Sequence, residues 1–498
     1  MRNQAGPLTT SLSLCFAGLL IGQFIAVLDV QIVTASLINI QAGIGAASDE
    51  ISWVQTAYLI AETVGIPIGA FCVKVVGFRR FFEISCSLFI LASLAVGLTS
   101  SLEGMIIARS AQGFVGGLIL PLAFIFGFSM FRAEQVGAIS LTLAIAAVLA
   151  PTAGPVVGGY ITEFFGWRWI FFINVPLGLI AITLVSSTAD RAWGQLDDSP
   201  RFDWLGAGLL SLALASTLFV LEEGQREGWF DSSLIIAGCA VSALAWSGFL
   251  WRNLGSLYPI LELRIFRDRN FSTGWMLITV GGVSLFGGSF LLPLFLGEIR
   301  DYSPQQIGDT LVVSGVMMVI GGLLIMPRLT GLSLKIPIAV GFGCTGYGFL
   351  LGAFATDQWG FWDMAALQAW RGIGIIIAIT ATQTLTMQNI ATTLTGSATT
   401  ALYLARNLGG ALGVSAISTT LAQQTRQAYV DIVGSPGIRR AAAYPDEPTA
   451  PTIAAATKTA RLIAYNNTFE LVALLCLAAA VLSLTIRSRN PSVLEHRT

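Results

Sequence analysis

Long apolar runs, one after another, constrain this chain more than any other feature. From about residue 12 to residue 486 they follow each other with short polar breaks between them. Most reach or exceed the ~20 residues that an α-helix needs to cross a bilayer. Only 11% of the 498 residues are charged, less than half the ~25% usual in a soluble protein. The runs are continuous rather than alternating, which argues against a membrane β-barrel. The fold class that follows is an all-α polytopic membrane protein.

Fourteen spans are predicted, over 12–38, 51–73, 81–99, 104–129, 136–161, 169–187, 204–221, 233–251, 271–297, 306–327, 335–355, 362–388, 396–424 and 466–486. The first run continues to about Leu37 without a small-residue cleavage site, so it reads as a helix and not as a removed signal. The net charge of −1 gives nothing for nucleic acid to bind. All six cysteines fall in or at the edges of apolar runs, where they read as small buried hydrophobes and not as a disulfide framework.

Lys and Arg set the orientation. With the N-terminus inside, the inner segments hold Arg2, Lys74, Arg79, Arg80, Arg132, Arg191, Arg201, Arg252, Arg264, Arg267, Arg269, Arg328, Lys335, Arg487, Arg489 and Arg497, and the short outer loops only Arg168, Arg226 and Arg300. Both termini are therefore expected in the cytoplasm. A long loop over 425–465, with "SPGIRRAAAYPDEPTAPT", is expected to face outward.

A few charges remain inside spans, and an intramembrane ionisable residue is a functional hypothesis by default. Asp29 lies in "AVLDVQIVTAS" of span 1, and Glu62 lies mid-span in "YLIAETVGIPIG". Each is a candidate proton carrier or cation contact; the alternative is a carboxylate that pairs with an Arg or hydrogen-bonds a neighbouring helix. Arg109 and Gln112 lie in "IIARSAQGFVGG" of span 4. A guanidinium does not readily lose its charge, so Arg109 needs an acidic or carbonyl partner; Asp29 and Glu62 are the candidates. "QAWRGIGIII" places Arg371 similarly in span 12, eight spans on. That offset suits two six-helix halves separated by two further helices, and transporter folds are commonly built from such repeats.

At these motifs the chain resembles the major facilitator superfamily, and within it the fourteen-helix drug:proton antiporter branch of the EmrB/QacA type. "APTAGPVVGGYI" (150–161) resembles the antiporter motif of span 5, and "WRWIFFINVPLG" (167–178), "ARSAQG" (108–113), "LRIFRDRNF" (263–271) and "LYLARNLGGALG" (402–413) resemble signatures of that branch. The resemblance covers about 12 to 486. It implies a six-helix bundle over 1–190, two inserted transmembrane helices over 191–262 and a second six-helix bundle over 263–498. It also implies proton-coupled efflux of amphipathic or cationic compounds by alternating access, with Arg109 linked to proton transfer.

Pro151, Gly154, Pro155, Gly158 and Gly159 combine small-residue spacing with two missing backbone donors. Such residues let helices approach closely and bend, and the expectation is a tight seam between the halves that seals one side. The loop after span 2 departs from the superfamily's pattern. Gly77, Arg79 and Arg80 fit, but Ala70 and Lys74 stand where Gly and Asp are usual, which leaves these basic residues as orientation charges. Arg406 and Asn407 read first as helix-packing residues, with Arg371 a second-half counterpart of Arg109. Trp53, Tyr58, Phe286, Phe290, Trp370 and Tyr403 are candidate cavity aromatics, each also at home in a core or an interfacial belt.

The one histidine, His496, lies in the tail, and no phosphate loop, nucleophile elbow or metal cluster appears. No enzyme activity and no cofactor are implied, and the proton gradient is the expected driving force. The expected partners are protons, small amphipathic or cationic substrates and the lipid bilayer of the bacterial inner membrane, with no nucleic acid. Some relatives work with a periplasmic membrane-fusion adaptor and an outer-membrane channel, and 425–465 is the candidate contact. Three alternatives stand beside drug efflux: export of a specific amphiphile such as a fatty acid or siderophore, import of a nutrient or ion, which the antiporter motif argues against, and a non-transporting receptor or scaffold. The buried charges argue against the scaffold.

Overall fold

The computed structural model describes residues 10–33, 36–47, 50–189, 203–329, 332–388, 390–433 and 449–486. Among them there are helices and turns and no strand. Eleven helices are long and apolar enough to cross a membrane. Three more long helices pack among these: α6 (Val136–Phe165), α14 (Lys335–Gly352) and α16 (Thr395–Val433).

In the first half, α1 (Thr10–Ile32), α3 (Trp53–Val76), α4 (Phe78–Leu98), α5 (Leu102–Met130), α6 and α8 (Asn174–Thr188) form one bundle, with the short α2 (Leu37–Ile44) after α1. α3 lies on α5, α4 on α5 and α8, and α1 on α6 and α8. The second half repeats these neighbours. α12 (Pro304–Ile320) lies on α15 (Phe361–Met387), α14 on α15 and α17 (Thr449–Ser483), and α11 (Arg269–Glu298) on α16 and α17. α9 (Trp204–Glu223) and α10 (Ser233–Gly255) pack on each other, and α9 leans on α3 and α16.

Glycine explains the closest of these contacts. A Cβ on Gly113 or Gly117 of α5 would run into the carbonyls of Tyr58 and Glu62 on α3. Gly282 of α11 meets the Arg406 carbonyl on α16 in the same way. Lipid gives helices no hydrophobic reason to associate, so backbone approach of this kind is a main source of adhesion. At Gly77, φ of 86° makes the tight turn from α3 into α4, a conformation that glycine adopts without strain.

Three boundaries differ from expectation. The first predicted span is divided: α1 stops at Ile32, and the chain restarts as α2. The run over 169–187 is broken at Ile173 into α7 (Trp169–Phe172) and α8. Pro176 lies three residues past the break and has no N–H to bond back to Phe172. The expected loop over 425–465 is helical over much of its length, because α16 runs to Val433 and α17 starts at Thr449. Residues 434–448 lie outside the described residues. At 1.5 Å per residue, α16 is roughly 58 Å long, well beyond a ~30 Å hydrocarbon core.

Asp203 caps α9 by accepting from the Gly206 N–H at 3.0 Å, and it takes Arg252 Nε of α10 at 3.1 Å. Burial opposes its charge, but the Gly206 N–H and the Arg252 guanidinium outweigh that and hold its carboxyl below the ordinary value. A depressed pKa contributes stability above the unfolded value of about 3.9 and loses it as pH falls through the folded value. Asp203→Ala should therefore lower stability by about 1 kcal/mol at pH 7, and the gap from wild type should close in melts run below about pH 4. Gly117→Val should cost about 3 kcal/mol through overpacking and broaden the size-exclusion peak. Gly159→Val should leave both unchanged, because nothing lies within 4 Å of a Cβ there.

Candidate functional site

The acid of α1 and the cation of α5 meet. Asp29 and Arg109 are 1% and 0% exposed, and Arg109 Nη1 donates to Asp29 Oδ2 in a buried ion pair. Asp29 Oδ1 accepts from Asn174 Nδ2 at 2.6 Å and from Gln112 Nε2 at 3.0 Å. Ser93 of α4 joins the same two amides, at 2.8 Å from Gln112 and 3.2 Å from Asn174. Arg109 also donates from Nε to the Val54 carbonyl at 3.1 Å and from Nη1 to Gln112 Oε1 at 2.7 Å. Its guanidinium lies over the Tyr58 ring, 4.2 Å from the centroid. The Tyr58 hydroxyl in turn donates to the Ala26 carbonyl at 2.9 Å. Five helices thus converge on one carboxylate and one guanidinium. A buried charge pair persists only where its remaining lone pairs and protons are satisfied in this way. One group is left over: Arg109 Nη2 has no acceptor among the described residues.

Local sequence places each member. "LD" ends the apolar part of α1 with its acid inward. The i, i+3 spacing of Arg109 and Gln112 puts both on one face of α5. Asn174 is delivered by the α7–α8 break, as the first residue of α8. Asn174 and Ser93 were not among the residues expected from sequence. The available signal was a lone amide in the apolar run "FFINVPLG".

Glu62 lies outside this network. It is buried at mid-α3 and faces the other half, where Asn407 Nδ2 of α16 donates to it at 3.4 Å. Arg406, the residue before Asn407 on α16, acts on it electrostatically across the same gap. Arg406 and Asn407 therefore do more than pack helices: they face an acid across the bundle. Beside them is a cavity of about 10 Å³, the size of one water, walled by Phe124, Ile379, Gln383, Tyr403 and Arg406. Gln383 Oε1, Tyr403 Oη and Arg406 Nε have no hydrogen-bond partner among the described residues. Tyr403 also crosses between halves to meet Phe124 edge-on, with ring centroids 4.8 Å apart.

Arg371 is buried like Arg109, yet its partners are neutral: Gln368 Oε1 at 3.0 Å and Ser314 Oγ at 3.4 Å. No carboxylate pairs with it among the described residues.

The glycine motif of α6 requires a correction. A Cβ on Gly154 or Gly158 would strike Gln31 and Ile32 of α1, so the tight seam lies within the first half and not between halves. The contact between halves uses another face of α6, where Val156 meets Gly308 of α12 and Leu141 and Ile145 meet Gly322. Pro155 is half-buried, and the side chain of Pro151 lies outside the described residues.

Of the loop charges, Arg79 pairs with Glu83 at 3.0 Å and donates to the Ala189 carbonyl at 3.4 Å, while Arg80 is exposed. The side chain of Lys74 lies outside the described residues. Among the aromatics, Tyr403 borders the small cavity and Phe290 a cleft beside α11 and α16. Trp53 stacks on Phe219 of α9, Trp370 is exposed beside Tyr347, and Phe286 packs on Gly410. Tyr58 belongs to the charge network.

A membrane-crossing bundle with a repeated neighbour pattern and a charged centre defines a polytopic transporter of the secondary type. Residues 19–414 match the model of the Major Facilitator Superfamily, and the chain belongs to that family. It is 30% identical over 408 residues to the Colistin resistance protein EmrB of Acinetobacter baumannii, covering 82% of this chain and 79% of that one. It is 30% identical over 408 residues to the Multidrug export protein EmrB of Escherichia coli, covering 80% and 78%. The Fatty acid resistance protein FarB of Neisseria gonorrhoeae is 28% identical over 400 residues, covering 80% and 78%.

The ion pair is open to a direct test. Asp29→Asn or Arg109→Gln alone leaves one buried charge uncompensated and should cost about 3–5 kcal/mol. The double variant should recover much of that loss, as read by unfolding in detergent. A double variant as unstable as the sum of the singles would show that the two residues act separately.

Proposed function

We propose that the protein exports amphipathic or cationic compounds across the bacterial inner membrane in exchange for protons. The observation that carries this reading is the fully buried Asp29–Arg109 pair held by neutral amides. The pair changes charge when Asp29 takes a proton. Arg109 then loses its counter-charge, and the orphaned Nη2 gives it a donor with which to seek another acceptor. Because Arg109 also holds the Val54 carbonyl and lies on Tyr58, its movement acts on α3. That helix carries Glu62 against Asn407 of the second half. Protonation in the first half is thereby linked to a contact between halves, as alternating access requires.

In this scheme fourteen spans place both termini in the cytoplasm. The chain divides into bundles over 1–190 and 263–498, with two helices over 191–262, of which α9 leans on α3 and α16 and α10 packs on α9. The names of the E. coli and A. baumannii relatives support efflux of toxic compounds. That of FarB supports an acidic amphiphile as a second substrate class. The projecting ends of α16 and α17 are the proposed contact for a periplasmic adaptor.

Proton-driven transport in liposomes tests the scheme, with a fluorescent cation such as ethidium and an imposed pH gradient. Gradient-driven transport should be lost in Asp29→Asn, in Glu62→Gln, or in both. If both variants still couple fully, the carboxylate mechanism is wrong. Proton release on adding substrate to the purified protein should also occur, which a scaffold would not show.

A further inference from the structure

A cavity bordered by charged groups lies away from the central network. It is a cleft of about 550 Å³ between α11 and the projecting lengths of α16 and α17. That volume falls within the range of small-molecule sites. Phe290, Leu294 and Leu421 form its apolar floor, and Arg426, Tyr429 and Arg461 stand around its rim.

The depth of the cleft follows from helix rise. Glu62 is near the middle of α3, and it meets Asn407, whose neighbour Arg406 packs by its carbonyl on Gly282. Those residues mark one level close to the bilayer centre. Phe290 is eight residues beyond Gly282, or ~12 Å outward, and Arg426 is twenty beyond Arg406, or ~30 Å. The hydrocarbon half-thickness is ~15 Å. The floor thus runs from acyl-chain depth at Phe290 up to the headgroup level at Leu294 (~18 Å) and Leu421 (~22 Å), and Arg426 at the rim lies beyond it, towards water.

The charges at the rim are unequal. Arg461 Nη1 approaches Glu298 Oε2 at 3.6 Å, and the Tyr465 hydroxyl also donates to that oxygen, at 3.1 Å. Arg426 is exposed and forms no ion pair among the described residues. Two guanidiniums and one carboxylate leave a net positive rim above an apolar floor. Guanidinium groups suit carboxylate and phosphate geometry.

We propose that this cleft is an interfacial binding site for an amphiphile with an anionic headgroup. The headgroup sits between Arg426 and Arg461 beside Tyr429, and the tail lies on Phe290, Leu294 and Leu421. The site rests on neither the proton-coupling scheme nor the direction of transport. Its occupant is either a bilayer phospholipid or a free acid such as a long-chain carboxylate, which share this chemistry.

The probe is 11-(dansylamino)undecanoic acid, titrated into the full-length protein in a neutral detergent. The dansyl-labelled amine of the same chain length is the comparison. Wild type should bind the acid more tightly than the amine. Arg426→Gln with Arg461→Gln should weaken acid binding about tenfold, the loss expected for charge-assisted hydrogen bonds, and leave the amine unchanged. Glu298→Gln, which removes the competing carboxylate, should tighten acid binding. Equal binding of acid and amine, no change in the double arginine variant, or weaker acid binding by Glu298→Gln would overturn the assignment. Thermal midpoints of the variants should match wild type, since both arginines are on the surface. In nanodiscs, competition by phosphatidylglycerol but not phosphatidylcholine identifies the occupant as lipid. Undiminished acid binding there identifies it as the free acid, and both results uphold the site.

Discussion

The Asp29–Arg109 ion pair is the interaction on which the first half depends. Two full charges at this depth are tolerable only if water is replaced by donors and acceptors already in place. Asn174, Gln112, Ser93 and the Val54 carbonyl supply them, from four different helices. Those helices reach the pair because glycine lets α3 and α5 touch along their backbones. Close packing and charge burial are therefore one requirement seen from two sides.

Contact between the halves has a different character. Within the first half, α6 presses Gly154 and Gly158 directly on α1. Across to the second half, α6 offers Val156 to Gly308 of α12 and Leu141 and Ile145 to Gly322 just past its end, and among the described residues the polar contact is a single long hydrogen bond from Asn407 to Glu62. Side chains against glycine can slide, whereas interlocked backbones cannot. The weaker seam is the one that alternating access must open.

Much of this was legible in the sequence for a simple reason: a charge in an apolar run has few explanations. Asp29, Glu62 and Arg109 stood out on that ground, with Gln112 brought in by the motif around Arg109, and three of these four do meet. Glu62 does not join them, because sequence gives depth but not the azimuth around a helix. The glycine motif announced a close approach, expected between the halves, but its partner proved to be α1, because small-residue spacing marks a tight contact and not the helix that makes it. Asn174 was missed because an Asn two residues before a Pro reads as part of a helix break. Here the break is what aims it. Trp53 and Trp370 show the limit for aromatics, whose composition is the same in a cavity, a core and a lipid-facing belt.

The second half kept a buried arginine without an acid. Arg371 rests on Gln368 and Ser314, neutral groups that do not change charge. The architecture repeats, but its electrostatics do not. The first half sets Glu62 against the second, its Asp29 being matched internally by Arg109, and the second half carries the positive charge of Arg371 on neutral partners. A cation crossing between them has only one wall to hold, so a path that looks symmetric in its backbone is handed in its field.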